Sequence, residues 1–176
     1  FMNLENELVI LRPIDGSDTE NIIRWRNKES VRQHFIYQKP FTAEGHTAWL
    51  KNMVETGKVS QFIIHSKNLK KDVGTVFLRD IDHENNKAEY GIFIGEDDAR
   101  GLGIGTVAAE LVVFYGFSEL GLHKIFLRVF ADNVRAVKSY EKAGFRQEAY
   151  LKDEVCISGT YRDIILMAQF EKEYSK

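Results

Sequence analysis

Three alternating glycines, Gly101, Gly103 and Gly105, separate a predicted strand from a predicted helix, and they restrict the fold more than any other segment. The strand, residues 88–94, is rich in β-formers, and the helix, about residues 107–120, carries apolar residues at helical spacing. Glycine lets the backbone approach an anion closely, while a helix start contributes unpaired N–H groups and the positive end of the helix dipole. The segment therefore predicts a seat for a phosphate or pyrophosphate group, with a simple tight turn as the alternative.

The remaining pattern predicts an α/β fold in one domain, residues 2–176, from which Phe1 is left out because it precedes Met2. Ser17 and Glu20 predict a capping box at the first helix, and Thr42 and Asn133 predict the caps of two others. The predicted strands are residues 8–12, 62–65, 73–81, 88–94, 124–130 and a terminal hairpin of 147–157 and 161–170. The strand–helix–strand crossover requires two parallel neighbours, so we expect a mixed, mostly antiparallel central sheet with helices on both faces.

Composition excludes several classes of protein. The net charge of −2 argues against a sequence-independent nucleic-acid binder, which needs a cationic face. The single cysteine, Cys156, excludes an internal disulfide and a cysteine-rich zinc site, and it fits a reducing, cytoplasmic location. The five histidines lack the spacing of a metal site, and no window reaches the ~20 apolar residues of a membrane span. We therefore expect no metal, no nucleic acid and no membrane, while a homodimer is admissible.

The glycine spacing differs from two familiar phosphate-binding motifs. A dinucleotide fingerprint requires a third glycine where this chain has Thr106, and a Walker A loop requires Gly-Lys-Ser/Thr. The pattern Arg100-x-x-Gly103-x-Gly105 instead resembles the acetyl-CoA pyrophosphate loop of the GCN5-related N-acetyltransferase (GNAT) superfamily.

A second segment, Asn133-x-x-Ala136-x-x-x-Tyr140, resembles the other signature of the same superfamily. The opening Leu11-Arg12-Pro13 and the ending Gly159-x-Tyr161-Arg162-Asp163 are similar to the branch that includes ribosomal-protein N-terminal and spermidine acetyltransferases. The resemblance covers about residues 7–170.

This resemblance implies a GNAT-like fold with a V-shaped splay between the fourth and fifth core strands. It implies acetyl-CoA as co-substrate, with the donor arm lying in the splay against the strand of residues 88–94. Gly91 and Gly95 there fit a bulge or a close approach, or packing beside a bulky neighbour. The residues expected to contact the donor are Ile92, Phe93, Ile94, Arg100, Gly101, Leu102, Gly103, Ile104, Gly105, Thr106, Asn133 and Ala136.

Two residues are the expected catalytic groups for direct attack of a primary amine in a ternary complex. Tyr140 is the candidate general acid for the departing thiolate, and its alternative is a buried structural tyrosine. Its ordinary pKa of ~10 exceeds the ~8.5 of a thiol, so the proton must move in step with C–S cleavage unless the environment lowers that pKa. Glu89 is the candidate base, and its alternative is an ion pair with a neighbouring Lys or Arg.

The acceptor is expected to meet Arg26, Arg32, Phe35 and Tyr37. Polyamine enzymes of the superfamily tend to carry acidic residues where this chain has Gln38-Lys39, which counts against a polycation. The Trp-Arg-Asn stretch with Arg32 and a later His46-x-x-Trp49 resembles acetyltransferases of nucleotide-linked amino sugars, whose phosphates an arginine can hold bidentately. A protein N-terminus is equally admissible, a polyamine is the alternative acceptor, and a CoA-binding sensor without turnover is the alternative from another class.

Overall fold

The computed structural model describes residues 4–174, so residues 2, 3, 175 and 176 of the predicted domain lie outside the described part. Eight strands in this range form one sheet in the order β1-β2-β3-β4-β5-β6-β8-β7. Neighbours are antiparallel except β5 and β6, which are parallel, as the crossover requires. The strands are β1 (Leu4–Glu5), β2 (Val9–Pro13), β3 (Ser60–Ser66), β4 (Lys71–Asp82), β5 (Lys87–Ile94), β6 (Lys124–Phe130), β7 (Arg146–Ile157) and β8 (Thr160–Phe170).

Helices cover both faces of this sheet, as predicted. They are α1 (Thr19–Arg26), α2 (Glu29–Arg32), α3 (Ala43–Trp49), α4 (Ile104–Ser118), α5 (Val134–Lys142) and α6 (Glu171–Tyr174), with a π-helical turn, Leu50–Val54, directly after α3. Among residues 4–174, no helix combines the length and the apolar character needed to cross a bilayer.

Strand alternation divides the core into two layers. On one face, Ala88 and Tyr90 of β5 pack in a cluster with Ala108 and Val112 of α4. On the other face, Phe93 of β5 packs in a second cluster with residues of α1 and α2. Because successive side chains of a strand point to opposite faces, β5 contributes to both layers, and its position fixes what lies on either side of the sheet.

The parallel pairing of β5 with β6 is short. It joins only Lys87 to Lys124, Ala88 to Ile125 and Glu89 to Phe126, although β5 continues to Ile94. Beyond Glu89 the two strands diverge, while β5 stays paired with β4 and β6 stays paired with β8. This divergence is the predicted splay. The fourth and fifth core strands of the prediction, residues 88–94 and 124–130, are β5 and β6 of the structure.

Local sequence signals place most helix ends, with one error. The Asn133 side chain accepts a hydrogen bond from the Ala136 N–H and begins α5, and Thr42 caps α3 in the same way. The predicted capping box of Ser17 and Glu20 is wrong. Asp15 is the cap, its side chain accepting from the Ser17 N–H, and Asp18 completes the box by accepting from the Asp15 N–H. The reason is a 3-10 turn, Gly16–Asp18, that precedes α1 and moves the start of helical structure toward the N-terminus.

The glycines of β5 and its end are explained by bulky neighbours. A Cβ built on Gly91 would lie 2.4–2.5 Å from atoms of the Phe77 ring. A Cβ built on Gly95 would lie 2.0–2.3 Å from Cγ, Cδ1 and Cβ of Trp25, which is fully buried. Of the two explanations that the sequence left open, packing beside an aromatic side chain is therefore the right one.

We expect Gly95→Ala to lower the free energy of unfolding by about 1–3 kcal/mol, because the clash involves the root of the Trp25 side chain, which cannot rotate away. Gly16→Ala is the matched control, since a Cβ there meets no atom within 4 Å. Urea denaturation of both variants measures the difference. Equal midpoints for Gly95→Ala and the control would contradict this account of the packing.

Candidate active site

A cavity of about 580 Å³ lies where β5 and β6 diverge. Its wall includes five consecutive residues of β5, from Glu89 to Phe93. Alternate residues of a strand face opposite sides of the sheet, so a cavity lined by all five passes the edge of β5 and reaches both layers. The α1–α3 side contributes Arg26, His46 and other residues, and the α5 side contributes Asn133 and Tyr140.

An ion pair between a buried carboxylate and a partly exposed arginine joins the two strands where their pairing ends. Arg128 of β6 donates from Nε to Glu89 Oε2 at 2.7 Å and from Nη2 to Glu89 Oε1 at 3.3 Å. The Glu89 side chain is 10% exposed. Hydrogen bonding to Glu89 raises the pKa of Arg128, so the guanidinium stays charged. Of the two roles considered for Glu89, the ion pair is present; each carboxylate oxygen keeps a further lone pair for another donor.

Tyr140 belongs to an aromatic cluster on the α5 side of the cavity. Its ring lies 6.0 Å from that of Tyr90 and 6.1 Å from that of Phe145, both in edge-to-face arrangement. Desolvation by burial raises the pKa of Tyr140 to about 12. The phenol is therefore neutral and able to donate a proton over the whole physiological range.

Arg26 is a buried cation, and few interactions offset the loss of hydration of its charge. It is 1% exposed, and its guanidinium carbon lies 4.2 Å from the Phe35 ring and 4.6 Å from the Phe41 ring. Nη2 donates to the Tyr37 carbonyl at 2.5 Å, whereas Nε and Nη1 have no partner within residues 4–174. Desolvation lowers the pKa of Arg26 to about 10, so it remains charged at neutral pH. A buried charge without a counter-ion is costly unless a ligand supplies one.

His46 adds a second incompletely bonded group to the same wall. Its Nδ1 lies 2.9 Å from Thr19 Oγ1, and its buried Nε2 has no partner in the described part of the chain. Desolvation lowers the pKa of His46, so the ring is neutral at pH 7. Nearby, Trp49 donates to Gln61 and Gln61 donates to Thr75, a buried chain that fixes the indole of the cavity wall.

The glycine loop is geometrically suited to an anion but lies outside the cavity lining. Gly101 and Gly103 have φ values of +74° and +78°, which glycine adopts without strain. A Cβ on Gly103 or Gly105 would meet no protein atom within 4 Å, so packing does not explain these glycines. The first helical bond of α4 runs from the Val107 N–H to the Gly103 carbonyl, which leaves the N–H groups of the preceding turn without intrahelical acceptors.

Two contacts hold this loop beside the splay. Arg100 Nη2 donates to the Ile94 carbonyl at the end of β5, at 2.9 Å. Thr106 Oγ1 lies 3.4 Å from Ser139 Oγ of α5. The N-terminus of α4 therefore borders both the end of β5 and the helix that carries Tyr140.

The structure brings together some of the predicted site residues and separates others. Those in the cavity lining are Arg26, Phe35, Tyr37, Glu89, Ile92, Phe93, Asn133 and Tyr140. Ile94, Ala136 and the loop from Arg100 to Thr106 lie outside the lining. Arg32 also lies outside the lining, where it pairs with Glu29 of its own helix at 2.5 Å, so its role at the acceptor stays a prediction. Gln38 and Lys39 also lie outside it.

Sequence reasoning missed two cavity arginines, Arg79 and Arg128. Arg79 is opposite Glu89 in the register of β4 and β5, so the two side chains share a face. Its guanidinium lies 5.7 Å from the Trp49 ring. A signal was available for Arg128 alone: a charged residue within the otherwise apolar residues 125–130 marks a position that does not face the core.

Comparison with known proteins identifies the family. Residues 9–146 match the model of the acetyltransferase (GNAT) domain. The chain is 32% identical over 174 residues to spermidine N(1)-acetyltransferase of Escherichia coli (strain K12), covering 94% of this chain and 88% of that protein. It is 22% identical to the putative ribosomal N-acetyltransferase YdaF of Bacillus subtilis (strain 168), covering 96% and 94%. The crystal structure of spermidine N-acetyltransferase from Vibrio cholerae in complex with CoA and spermine superposes with a TM-score of 0.89 at 25% identity, covering 97% of this chain and 100% of that one.

The chain therefore belongs to the GNAT acetyltransferase family, as its two sequence signatures predicted. It is an N-acetyltransferase, the family uses acetyl-CoA, and the reading as a sensor without turnover is set aside. Within the described residues, no group of three or more His, Cys, Asp or Glu side chains is arranged to hold a metal ion.

Proposed function

We propose that this enzyme acetylates the primary amine of a small, negatively charged acceptor, of which a nucleotide-linked amino sugar is the best fit. The observation that carries the proposal is the charge of the cavity wall. It holds three arginines, Arg26, Arg79 and Arg128, against one carboxylate, Glu89, which is already paired with Arg128; Arg79 lies 3.5 Å from the Asp80 carboxylate outside the lining. A polycation would meet repulsion there, whereas a phosphate or carboxylate would be attracted.

Arg26 is the proposed anchor for the acceptor's anionic group. Its Nε and Nη1 have no partner in the described part of the chain and lie on different edges of the planar guanidinium, so each can donate a separate hydrogen bond to an anionic ligand. An anion at this position supplies the missing counter-charge. In the tautomer that donates Nδ1–H to Thr19 Oγ1, His46 presents Nε2 as an acceptor for a hydroxyl group of the same ligand; in the other tautomer Nε2–H is a donor.

The second candidate acceptor is a polyamine, and the relatives favour it. The similar enzymes of Escherichia coli and Vibrio cholerae are named for spermidine, and the Vibrio cholerae structure contains spermine. The cavity wall described above supports the anionic acceptor instead, since a polyamine site needs several free carboxylates. A peptide with a free N-terminus belongs in the same test, because its carboxylate end also carries negative charge.

The loop from Arg100 to Thr106 is the proposed binding site for the pyrophosphate of acetyl-CoA, called the donor seat below. Its residues Gly101, Leu102, Gly103, Ile104 and Gly105 offer backbone N–H groups at the start of α4 to a pyrophosphate. The arm of the donor then follows the unpaired edge of β5 along Ile92, Phe93 and Ile94, with Asn133 and Ala136 on the α5 side. Acetyl-CoA supplies the acyl group in activated form, as a thioester.

Glu89 and Tyr140 are the proposed base and acid. Glu89 takes a proton from the acceptor's ammonium group, and Arg128 fixes the orientation of that carboxylate. Tyr140 protonates the departing thiolate. With the pKa of Tyr140 at about 12 and that of a thiol at ~8.5, a separate proton transfer would cost about 5 kcal/mol. Tyr140 must therefore donate while the C–S bond breaks, when the sulfur is not yet a free thiolate.

The donor seat is tested by Gly105→Val, with CoA binding measured by calorimetry. The side chain enters open space beside the first turn of α4 and strains no backbone angle, so the fold should persist, whereas valine at Gly103 would force a φ of +78°. We expect CoA affinity to fall at least about tenfold, or ~1.4 kcal/mol. Gly16→Val, also in open space, is the control. Unchanged affinity in folded Gly105→Val would remove the loop as the donor seat.

The acid is tested by Tyr140→Phe across pH. The variant should lose about 10²- to 10⁴-fold in kcat, the contribution of a general acid. An acid acts in its protonated form, and burial raises the pKa of Tyr140, so its contribution should persist up to pH ~10 rather than decline toward it. The ratio of wild-type to variant kcat should stay constant from pH 7 to about 10. A ratio near one at every pH argues that Tyr140 is structural, whereas a ratio that falls steadily above pH 8 would show an acid whose pKa is lowered rather than raised.

The acceptor is tested by Arg79→Gln, with a nucleotide-linked amino sugar, spermidine and an N-terminal peptide as substrates. Arg79 is half-exposed at the cavity wall, and removal of its charge should raise KM for the anionic acceptor about threefold to tenfold, with kcat little changed. Added salt should raise the same KM, because exposed charges are screened over ~8–10 Å.

Arg32→Gln is the control, because Arg32 pairs with Glu29 outside the cavity and should have no effect. Spermidine should be a poor acceptor whose KM falls in Arg79→Gln. Efficient acetylation of spermidine by the wild type, with no turnover of the anionic acceptor, would establish the polyamine alternative.

A further inference from the structure

Tyr90 is a buried polar residue for which neither the fold nor the acid–base chemistry gives a role. It is 4% exposed, lines the cavity, and its hydroxyl oxygen has no hydrogen-bond partner within residues 4–174. Buried hydroxyl groups in native proteins are nearly always paired, because a lost partner costs free energy. The packing of the core needs only the ring, which phenylalanine would provide.

The position of Tyr90 in the sheet suggests where the missing partner lies. Glu89 is the last residue of β5 that pairs with β6, so Tyr90 is the first residue beyond the vertex of the splay. Its side chain points to the face of α4 and α5, where its ring contacts those of Tyr140 and Phe145 with centroids 6.0 and 5.4 Å away. This is the face that also carries the glycine loop at the start of α4.

The protonation state of Tyr90 defines what it can offer. Desolvation raises its pKa well above the ordinary value, and the neighbouring Tyr140 adds to this. The hydroxyl is therefore a neutral donor at any working pH. Carbonyl oxygens are the acceptors that the arm of the donor brings into the splay, in its amide groups and in its thioester.

We propose that the Tyr90 hydroxyl donates a hydrogen bond to a carbonyl oxygen of the acetyl donor at the vertex of the splay. Tyr90 thereby binds and positions the donor, while Tyr140 on the adjacent helix acts on the sulfur. The inference rests on the donor placement proposed above and adds a residue from β5 to it.

The test is Tyr90→Phe, with the binding of CoA and of acetyl-CoA measured by calorimetry and the melting temperature measured without ligand. We expect affinity for acetyl-CoA to fall about threefold to tenfold, the worth of one hydrogen bond. The melting temperature should stay unchanged or rise, because the variant removes an unpaired buried hydroxyl. A structural hydroxyl would give the opposite result, a lower melting temperature with unchanged affinity.

Two comparisons make every outcome decisive. A loss for acetyl-CoA alone assigns the thioester carbonyl, and an equal loss for CoA assigns a carbonyl of the arm; unchanged affinity for both overturns the proposal. Tyr115→Phe is the matched control, since Tyr115 lies 3.5 Å from Ser60 Oγ outside the cavity and should not alter affinity. If Gly105→Val weakens CoA binding while Tyr90→Phe does not, the proposed function stands and only the role of Tyr90 is lost.

Discussion

The early end of the pairing between β5 and β6 is the constraint on which the rest of this structure depends. Each of the two strands keeps its hydrogen bonds to its other neighbour, β5 to β4 and β6 to β8. The two strands can therefore diverge without either one unfolding. Divergence leaves backbone N–H and C=O groups on the inner edges without ladder partners, and such groups must meet solvent or a ligand. A parallel pair can end this way because the connection through α4 runs from the C-terminal end of β5 to the N-terminal end of β6, at opposite ends of the pair. No hairpin turn holds the diverging ends together. The cavity exists because the ladder stops at Glu89.

Charge at the vertex follows from the same geometry. Arg128 lies two residues beyond Phe126, the last β6 residue paired with β5, and its side chain crosses the opening to Glu89. Replacing ladder hydrogen bonds by a bidentate ion pair holds the strands at a fixed distance while keeping a carboxylate at the base of the cavity. The Glu89 carboxylate is costly to desolvate, so the value of the pair here lies in positioning rather than in stability. Arg26 differs, because it is buried without a carboxylate partner in the described chain, and that imbalance favours an anionic ligand.

The sequence predicted what depends on neighbours along the chain and missed what depends on neighbours across the sheet. The Asn133 and Thr42 caps and the terminal hairpin were predictable because caps and tight turns are local, and the crossover implied the parallel pair. The GNAT signatures gave the family. Ser17 was misjudged because it lies inside a 3-10 turn, Gly16–Asp18, whose cap is Asp15. The places of Arg32 and Arg128 relative to the cavity could not be predicted for a different reason: no local pattern tells whether an arginine faces a cavity, and only the register of β6 brings Arg128 to Glu89.

The two faces of the sheet also resolve a difficulty that the proposed reaction raises. An anionic donor and an anionic acceptor repel one another, and a single cationic pocket would bind either in the place of the other. Here the N–H groups at the start of α4 lie outside the cavity and toward α5, whereas Arg26 and His46 lie on the α1 and α3 side. Tyr140 belongs to the first side and Glu89, through strand alternation, to the second. The splay is the place at which both sides meet, so an acid from one layer and a base from the other can act on one reacting centre. The sheet that would separate a donor and an acceptor of like charge is thus the same element that positions the two proposed catalytic groups.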